Sequence, residues 1–402
     1  MNGEKALDLF GQSSRVARRE QGILPSQEIE ELIKNGKIRS TAEISDDQIQ
    51  PASIDLRLGN IAYRVRASFI PSRKFLISSK IRELQLEAID LSQPALLDTG
   101  GVFIAPLIES LELPVDMSGR ANPKSTTGRL DIFTRLMADG SGRFEAVPKG
   151  YSGNLYAEIV PQTFPIIVRE GTKLNQIRFF RGEPERDDEA LRKLSRQGKL
   201  IYNENGDAPT EIVIEDGLRI SVDLQGDGRE NIVAYRAKKG CPPIDLTKVG
   251  AYDIEEFWEP LRALNPKSLV LNPNDFYILA SKQRVGVPPK YAAEMEQYDS
   301  SIGEFTVHYA GFFDPGFGYG VRGEIKGTKA VLEVRAHEVP ILLEDGQEVG
   351  RLTYLKMADR PLKLYGQGIG SSYQQQGLAL SKQFRKPTAP SIFSSLSPAT
   401  HI

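Results

Sequence analysis

The sequence is poor in the side chains that bind transition metals. It contains one cysteine, Cys241, and three histidines, His308, His337 and His401. A disulfide framework within the chain is therefore excluded, and the sequence does not support a cysteine-based zinc site or a cysteine–histidine nucleophilic pair. We predict no metal site made by the chain, so any catalysis has to use carboxylates, hydroxyls, cations and backbone groups.

Long apolar runs and a strong charge of one sign are absent as well. No segment approaches the roughly 18 apolar residues of a membrane span, and the N-terminal residues lack the apolar core of a signal peptide. The formal net charge is only -2, which gives no whole-chain reason to expect a nucleic acid or an anionic membrane as partner. We expect a cytoplasmic protein that binds neither.

What the sequence does contain is an internal repeat. Glu158 and Glu333 lie 175 positions apart, and the same spacing holds without a gap from Pro114 to Gly171. A period of this size indicates a duplicated domain and not a solenoid. The other pairs in register are Pro114 and Pro289, Ser125 and Ser300, Gly128 and Gly303, Asp139 and Asp314, Pro165 and Pro340, and Gly171 and Gly346.

Both copies are predicted to be mainly β, because short apolar runs alternate with Gly, Pro, Asn and Asp. Many short strands with few helices are typical of a barrel or a sandwich. Helices are predicted in the linker, after Asp187, and from Ile254 to Leu264. We divide the chain into a flexible N-terminus (1–21), a first copy (22–185), a linker with a helix (186–209), a second copy (210–364) and a C-terminal lid with a disordered tail (365–402).

The two copies differ in the charge of one loop. Lys124-Ser125-Thr126-Thr127-Gly128-Arg129 in the first copy has a cation at each end, and its small hydroxyl residues let backbone N–H groups approach an anion. The second copy has Asp299-Ser300-Ser301-Ile302-Gly303-Glu304 instead, so both cations are replaced by acids. The first loop is a candidate polyphosphate site, although the pattern also suits a polar surface turn.

Acidic residues at matching positions of the two copies are the candidate catalytic groups. Glu158 and Glu333 each lie in an apolar strand, where a carboxylate is either a solvated strand residue or a general base with a raised pKa. Asp139 and Asp314 also match, but each lies beside Gly or Pro, so turn formation explains them as well as function does.

These segments resemble the dCTP deaminases of the dUTPase-like superfamily. The phrase from Gln50 to Gly59 is similar to the opening phrase of that family, and Lys124-Ser125-Thr126-x-x-Arg129 resembles its phosphate-binding loop, with lysine in place of the usual arginine. Val331-Leu332-Glu333 resembles the strand of its catalytic glutamate. The double length of the chain resembles the tandem dCTP deaminases of some bacteria.

Two later segments extend the resemblance. Phe313-Asp314-Pro315-Gly316-Phe317 is similar to the family's sugar-binding turn, for which the repeat gives Asp139 as the first-copy counterpart. The segment from Tyr365 to Gln376 resembles the closing segment that folds over the triphosphate, with Ser372 where lysine is usual. Its tyrosines, Tyr365 and Tyr373, and Gln376 are then candidate nucleotide contacts, and its removal is expected to harm catalysis more than folding.

The resemblance implies two tandem distorted β-barrels that pack as in a trimer, a homo-oligomer, and hydrolysis of dCTP to dUTP and ammonia without zinc. Glutamate would act as base and acid, Ser125 would position water, and Lys124, Thr126 and Arg129 would neutralise the triphosphate. No cofactor is implied for the chemical step, while Mg²⁺ would accompany the triphosphate. dUTP or dTTP could bind as product or feedback ligand.

Which glutamate acts is left open by the sequence. In the family the phosphate loop and the glutamate come from neighbouring subunits, so rings of like repeats would pair Arg129 with Glu158, the arrangement we favour. If the two copies face each other within a chain, Arg129 would meet Glu333 instead. Two other functions also remain: a bifunctional enzyme that continues from dCTP to dUMP, and a nucleotide-binding regulator without catalysis.

Overall fold

The fold comes from a computed structural model that describes most of the chain. The described residues are 20–183, 188–197, 200–203, 205–207, 212–226, 231–262, 264, 267–297, 305–308, 311–336, 338–366 and 373–386. The predicted flexible N-terminus lies outside them up to residue 19, as do the acidic loop of the second copy and Ser372. Within these ranges, every helix is too short or too polar to cross a lipid bilayer.

The first copy consists mainly of short antiparallel strands, as its alternation of apolar and turn-forming residues predicts. Its elements are β1 (Gly22–Ile23), α1 (Ser26–Lys34), β2 (Ile38–Ser40), a 3-10 turn (Asp46–Gln48), β3 (Ile54–Arg57), β4 (Ile61–Val65), α2 (Ile77–Leu84), β5 (Gln85–Asp90), β6 (Ala95–Leu97), β7 (Val102–Glu112), β8 (Met117–Pro123), α3 (Ser125–Gly128), β9 (Ile132–Ala138), β10 (Ala146–Val147), β11 (Ser152–Pro161), β12 (Ile166–Val168) and β13 (Lys173–Arg181).

The second copy repeats this order in its described part. Its elements are α4 (Asp188–Arg196), β14 (Ile201–Tyr202), β15 (Leu218–Ser221), β16 (Ile232–Ala237), β17 (Ile244–Asp245), α5 (Ile254–Phe257), β18 (Trp258–Arg262), β19 (Ser268–Leu271), β20 (Phe276–Val285), β21 (Tyr291–Gln297), β22 (Phe305–His308), β23 (Phe312–Phe313), β24 (Thr328–Ala336), β25 (Ile341–Glu344) and β26 (Glu348–Lys356).

The sheets follow the sequence repeat. In the first copy one sheet has the order β5-β4-β7-β11-β9, with β2 on β7, and its counterpart in the second copy has the order β18-β16-β20-β24-β22, with β14 on β20. A second sheet, β1-β13-β8-β10 with β3 on β13, corresponds to β15-β26-β21-β23. The two candidate glutamates occupy β11 and β24, the central strands that match in the repeat.

The two copies share an apolar core where they meet. Strand β17 of the second copy pairs in parallel with β12 of the first. Phe164 of the first copy packs edge to face on Trp258 of the second, with ring centroids 5.4 Å apart, and both side chains are fully buried. Because separation of the copies would expose these large aromatic rings, each copy depends on the other for part of its core.

Of two predicted helices, one packs differently from the prediction and the other is shorter. Helix α4 forms in the linker as predicted, but Leu191 packs into the core of the second copy, so this helix belongs to that domain. The helix predicted from Ile254 to Leu264 is wrong beyond Phe257. Trp258–Arg262 is instead an edge strand on β16, where Pro260 is tolerated because no ladder hydrogen bond is needed on the open side.

The described chain ends at Lys386 and is packed near that end, whereas we expected a disordered tail from about Lys382; residues 387–402 of that tail lie outside the described residues. Phe384 is buried among Tyr252, Phe257 and Trp258, with centroid distances of 6.4, 5.5 and 6.0 Å. A single aromatic residue in a Ser- and Pro-rich stretch is a weak sequence signal, and its partners lie more than a hundred positions away. The C-terminal segment is therefore tied down beyond the part that resembles a lid.

Candidate active site

One cavity of about 700 Å³ lies between the two copies, a size that suits a small-molecule ligand. The first copy contributes its basic loop, the second copy contributes strand β24 with Glu333, and the C-terminal segment closes one side. The sequence-predicted residues that line it are Lys124, Ser125, Thr126, Arg129, Asp314, Glu333, Tyr365, Tyr373 and Gln376. Glu158 and Asp139 do not belong to its lining.

The basic loop is a single helical turn, α3, held against strand β13. The Lys124 N–H donates to the Leu174 carbonyl at 2.8 Å, and the Thr127 hydroxyl donates to the same carbonyl at 3.0 Å. The Lys124 ammonium forms an ion pair with Asp55 at 2.5 Å. Asp55 lies in strand β3, within the segment from Gln50 to Gly59. This segment therefore helps to hold the Lys124 side chain in place.

Arg129 is a buried cation of the cavity with an unused hydrogen-bond donor. It is 3% exposed, its guanidinium lies 3.7 Å from the centroid of the Tyr373 ring, and its Nε has no hydrogen-bond partner. Its Nη1 donates to the side-chain carbonyl of Gln376 and to the backbone carbonyl of Ala379, both at 3.0 Å. The C-terminal segment thus provides neutral oxygens to a buried cation, an arrangement that a phosphate oxygen could replace at a gain in charge complementarity.

Glu333 faces this loop from strand β24. The side chain is 6% exposed, and burial raises its pKa to about 8, although nearby Arg129 acts in the opposite direction. No hydrogen bond or ion pair from the described residues holds its carboxylate. A buried carboxyl group with a pKa of about 8 that faces a cavity is suited to accept and return protons.

The turn after strand β23 forms the far wall of the cavity, and the first copy holds it in place. Asp314 is buried, which raises the pKa of its carboxyl group. Arg178, fully buried in β13, donates to Asp314 Oδ1 and to the Phe313 carbonyl, each at 3.0 Å. Its guanidinium also stacks on the Phe312 ring at 3.9 Å, so this turn is fixed across the boundary between the copies.

The C-terminal segment contacts the same turn. Tyr365 packs on Phe317 with ring centroids 5.4 Å apart. The Gln374 side chain accepts from the Gly318 N–H at 3.0 Å and donates to the Gly316 carbonyl at 3.1 Å. Because the segment touches both the turn and Arg129, it connects the two sides of the cavity.

Glu158, the favoured base in the sequence analysis, occupies a different environment. It is fully buried and forms an ion pair with Arg135 of the neighbouring strand β9, whose Nε donates to Glu158 Oε1 at 2.9 Å. Arg135 is in turn stacked on the Phe144 ring at 3.5 Å. The carboxylate is therefore engaged within the first copy, and the structure separates it from the Lys124–Arg129 loop of its own chain.

The segment that joins β4 to β5 fills this region of the first copy, whereas its counterpart in the second copy, residues 238–257, lies at the junction, where β17 pairs with β12. The first-copy segment consists of residues 66–84, which end in helix α2. Ser68 accepts a hydrogen bond from Arg135 at 3.0 Å, and the Ile77 N–H donates to Asp139 Oδ1 at 2.7 Å. Asp139 thus accepts a hydrogen bond at the start of α2, whereas its repeat counterpart Asp314 lines the cavity.

Some residues that line the cavity, or lie directly behind its wall, were not predicted as site residues from the sequence. Asp55 and Arg178 act through other side chains, and Lys382 lines the cavity from the packed end of the chain. The sequence offered a signal for the difference between the glutamates, since Ala310 and not an arginine stands 175 positions after Arg135. In the strand register, Arg135 lies opposite Glu158, and His308 of β22 lies opposite Glu333. The second copy thus lacks the arginine that pairs with Glu158.

Comparison with known proteins places both halves of the chain in one family. The model for the N-terminal domain of 2'-deoxycytidine 5'-triphosphate deaminase matches residues 20–183, and the model for the C-terminal domain of the same enzyme matches residues 187–384. The chain belongs to the dCTP deaminase family. Its mainly β, dUTPase-like fold in two domains agrees with the expectation from the sequence.

Relatives of known structure and name agree with this family. The crystal structure of 2'-deoxycytidine 5'-triphosphate deaminase from Agrobacterium tumefaciens has 48% sequence identity and a TM-score of 0.80, and the match covers 85% of this chain and 100% of that chain. "dCTP deaminase, dUMP-forming" from Nanoarchaeum equitans is 30% identical over 205 residues, 47% of this chain and 97% of the relative. "dCTP deaminase" from Natronomonas pharaonis is 29% identical over 179 residues, 43% of this chain and 85% of the relative.

Proposed function

We propose that the cavity between the copies binds dCTP and removes its 4-amino group by hydrolysis, with Glu333 as general base and acid. The observation that carries this proposal is the Glu333 carboxyl group, buried, with a pKa of about 8, in the same cavity as the buried Arg129. One chain then supplies both the cations that bind the triphosphate and the carboxylate that accepts a proton from water. This differs from the pairing of Arg129 with Glu158 that we favoured from the sequence.

In the proposed complex the triphosphate lies along the basic loop. Arg129 exchanges the Gln376 and Ala379 oxygens for phosphate oxygens, and its unpartnered Nε gains an acceptor. Lys124, already held by Asp55, and the hydroxyls of Ser125 and Thr126 contribute further contacts. When Mg²⁺ accompanies the triphosphate it supplies charge neutralisation, while these residues fix the position of the nucleotide.

The sugar and the base extend from there towards the second copy. The Asp314 turn and the Tyr365–Phe317 ring pair form the wall suited to the deoxyribose. Glu333 takes a proton from water as the water oxygen bonds to C4 of cytosine, and N3 is protonated in the resulting tetrahedral adduct. Glu333, after passing the water proton to N3, takes the proton of the new C4 hydroxyl and gives it to the amino group, so that ammonia leaves and the C4 carbonyl of uracil forms.

A second reaction, cleavage of the nucleotide to dUMP and pyrophosphate, is favoured by the names of relatives. Those from Dictyoglomus thermophilum and Nanoarchaeum equitans are both called "dCTP deaminase, dUMP-forming". This step requires a water molecule to be activated at the α-phosphate, and the cavity lining offers the Ser125 and Thr126 hydroxyls and the Asp55 carboxylate as polar groups for it. On these names we favour dUMP over dUTP as the final product.

The test is to incubate the purified protein with dCTP and to measure ammonia, dUTP, dUMP and pyrophosphate together. Equal amounts of ammonia, dUMP and pyrophosphate are expected for the two-step reaction. Ammonia with dUTP and no pyrophosphate would restrict the function to deamination. Nucleotide binding without ammonia would support the non-catalytic regulator, and dCMP and CTP serve as controls for the need for a triphosphate and a deoxyribose.

A further inference from the structure

Lys382 is a cation at the cavity that no described carboxylate neutralises. It lies between Ser381 and Gln383, which are each 2% exposed. The Ser381 hydroxyl donates to the Thr126 carbonyl of the basic loop at 2.9 Å, and the Gln383 amide donates to the Leu246 carbonyl at 3.1 Å. Lys382 is thus presented next to the basic loop by two buried neighbours, and its side chain lines the cavity.

Among the described residues that line the cavity, some cations pair with a carboxylate and others do not. Lys124 pairs with Asp55 at 2.5 Å, and Lys173 pairs with Asp47 at 2.6 Å. Among the described residues, Arg129 and Lys382 are the lining cations that have no carboxylate at ion-pair distance. Partial burial, together with repulsion from Lys124 and Lys173, lowers the pKa of Lys382 even though Asp55 acts in the opposite direction.

We propose that Lys382 binds the outer phosphates of the nucleotide and makes binding depend on the number of phosphates. The proposal rests on the proposed function, because it takes a nucleoside triphosphate as the ligand. A phosphate next to the loop would give the ammonium the negative partner that the described protein does not provide, at a point fixed by the Ser381–Thr126 hydrogen bond. Residues 381–383, which hold the C-terminal segment against the basic loop, would therefore also supply a phosphate contact.

The experiment measures the affinity of dCTP, dCDP and dCMP by calorimetry, with Glu333→Gln in every protein to prevent turnover. Lys382→Met removes the charge and keeps most of the length of the side chain, and Lys382→Arg restores the charge. Lys248→Met is the matched control, because Lys248 is exposed on the segment whose Gly250 N–H donates to the Lys382 carbonyl at 2.9 Å, yet it lies outside the cavity.

We expect Lys382→Met to weaken dCTP binding by roughly tenfold or more, on the scale of a charge-assisted hydrogen bond, and to leave dCMP binding nearly unchanged. Lys382→Arg should recover most of the dCTP affinity, and Lys248→Met should behave like the parent protein. Equal losses for dCTP and dCMP, or no loss for either, would overturn the proposal while leaving the proposed function intact. Failure of the parent protein to bind dCTP would overturn both.

Discussion

The same residue in the two copies has two different environments. Glu333 and Glu158 match in the repeat and in strand position, but Glu158 is held by Arg135, whereas Glu333 faces a cavity. Desolvation raises the pKa of Glu333 to about 8, since no described side chain gives it a compensating hydrogen bond. The two residues are chemically the same, and their neighbours make the difference: Glu333 is a candidate base, whereas Glu158 is part of an ion pair within the first copy.

The raised pKa of Glu333 predicts the pH dependence of the reaction. Its base form is the minor form below about pH 8, so kcat/KM for dCTP should rise close to tenfold per pH unit up to about 8 and then level off. Initial rates of ammonia release from pH 6 to 9, with circular dichroism to show that the fold persists, measure this. A flat profile across that range would contradict Glu333 as a base with this pKa.

Arg129 provides a second prediction at the residue scale. Arg129→Ala should weaken dCTP binding by about 1.5–3 kcal/mol, the range for hydrogen bonds to a charged group, because a buried guanidinium at the triphosphate is lost. Calorimetric titration with dCTP measures the change, with Arg385→Ala as a control because Arg385 is exposed and pairs with Asp253. An unchanged affinity would mean that the triphosphate does not lie along this loop.

At the scale of elements, the C-terminal segment is fixed at both ends. Tyr365 packs on Phe317 at its start, and Phe384 packs into the aromatic cluster of the junction at its end. The glycine and glutamine residues predicted a segment close to the nucleotide. The anchor could not be predicted, because Phe384 finds its partners only through tertiary packing of segments distant in sequence.

A chain that ends after Leu364 is accordingly expected to lose stability as well as activity. Removal of Phe384 leaves Tyr252, Phe257 and Trp258 without one partner of their cluster, and large-to-small changes of a buried Phe cost about 3–5 kcal/mol. The thermal midpoint should fall by several degrees in differential scanning calorimetry. Phe384→Leu is a milder companion that should lie between the two proteins. A truncated chain with the midpoint of the full-length protein would show that the anchor adds little.

The sequence predicted the strands but not the environments of the two glutamates, for a physical reason. The apolar runs 154–160, 176–180, 330–335 and 350–356 predict strands, and they lie within β11, β13, β24 and β26, because a strand pattern depends on local sequence. The partner of a buried carboxylate depends on which strands pair and on how the connecting segment 66–84 packs, and the 175-residue register, which begins at Pro114, does not cover that segment. Arg135 was visible in the sequence, but its contact with Glu158 requires the pairing of β9 with β11.

At the scale of the whole molecule, duplication allows one chain to supply both halves of a site. The first copy provides the cations, the second provides Glu333, and the junction buries Phe164 against Trp258. The matching position in the first copy is engaged by Arg135 and by the segment 66–84. The acidic loop of the second copy lies outside the described residues, but its sequence has two acids where the first loop has two cations.

One working site per chain is the expected consequence. Equilibrium dialysis of Glu333→Gln protein with labelled dCTP should give one bound nucleotide per chain at saturation, whatever the number of chains in the assembly. A ratio near two would show that the second copy's loop also binds nucleotide.

The most direct test of the account compares Glu333→Gln with Glu158→Gln, the same isosteric change at the two matching positions. Glu333→Gln should abolish ammonia release from dCTP while the protein still binds the nucleotide and melts at or above the normal temperature. Glu158→Gln should remain active but lose about 1.5–3 kcal/mol of stability, because Arg135 loses its charged partner. An inactive Glu158→Gln protein beside an active Glu333→Gln protein would contradict the account.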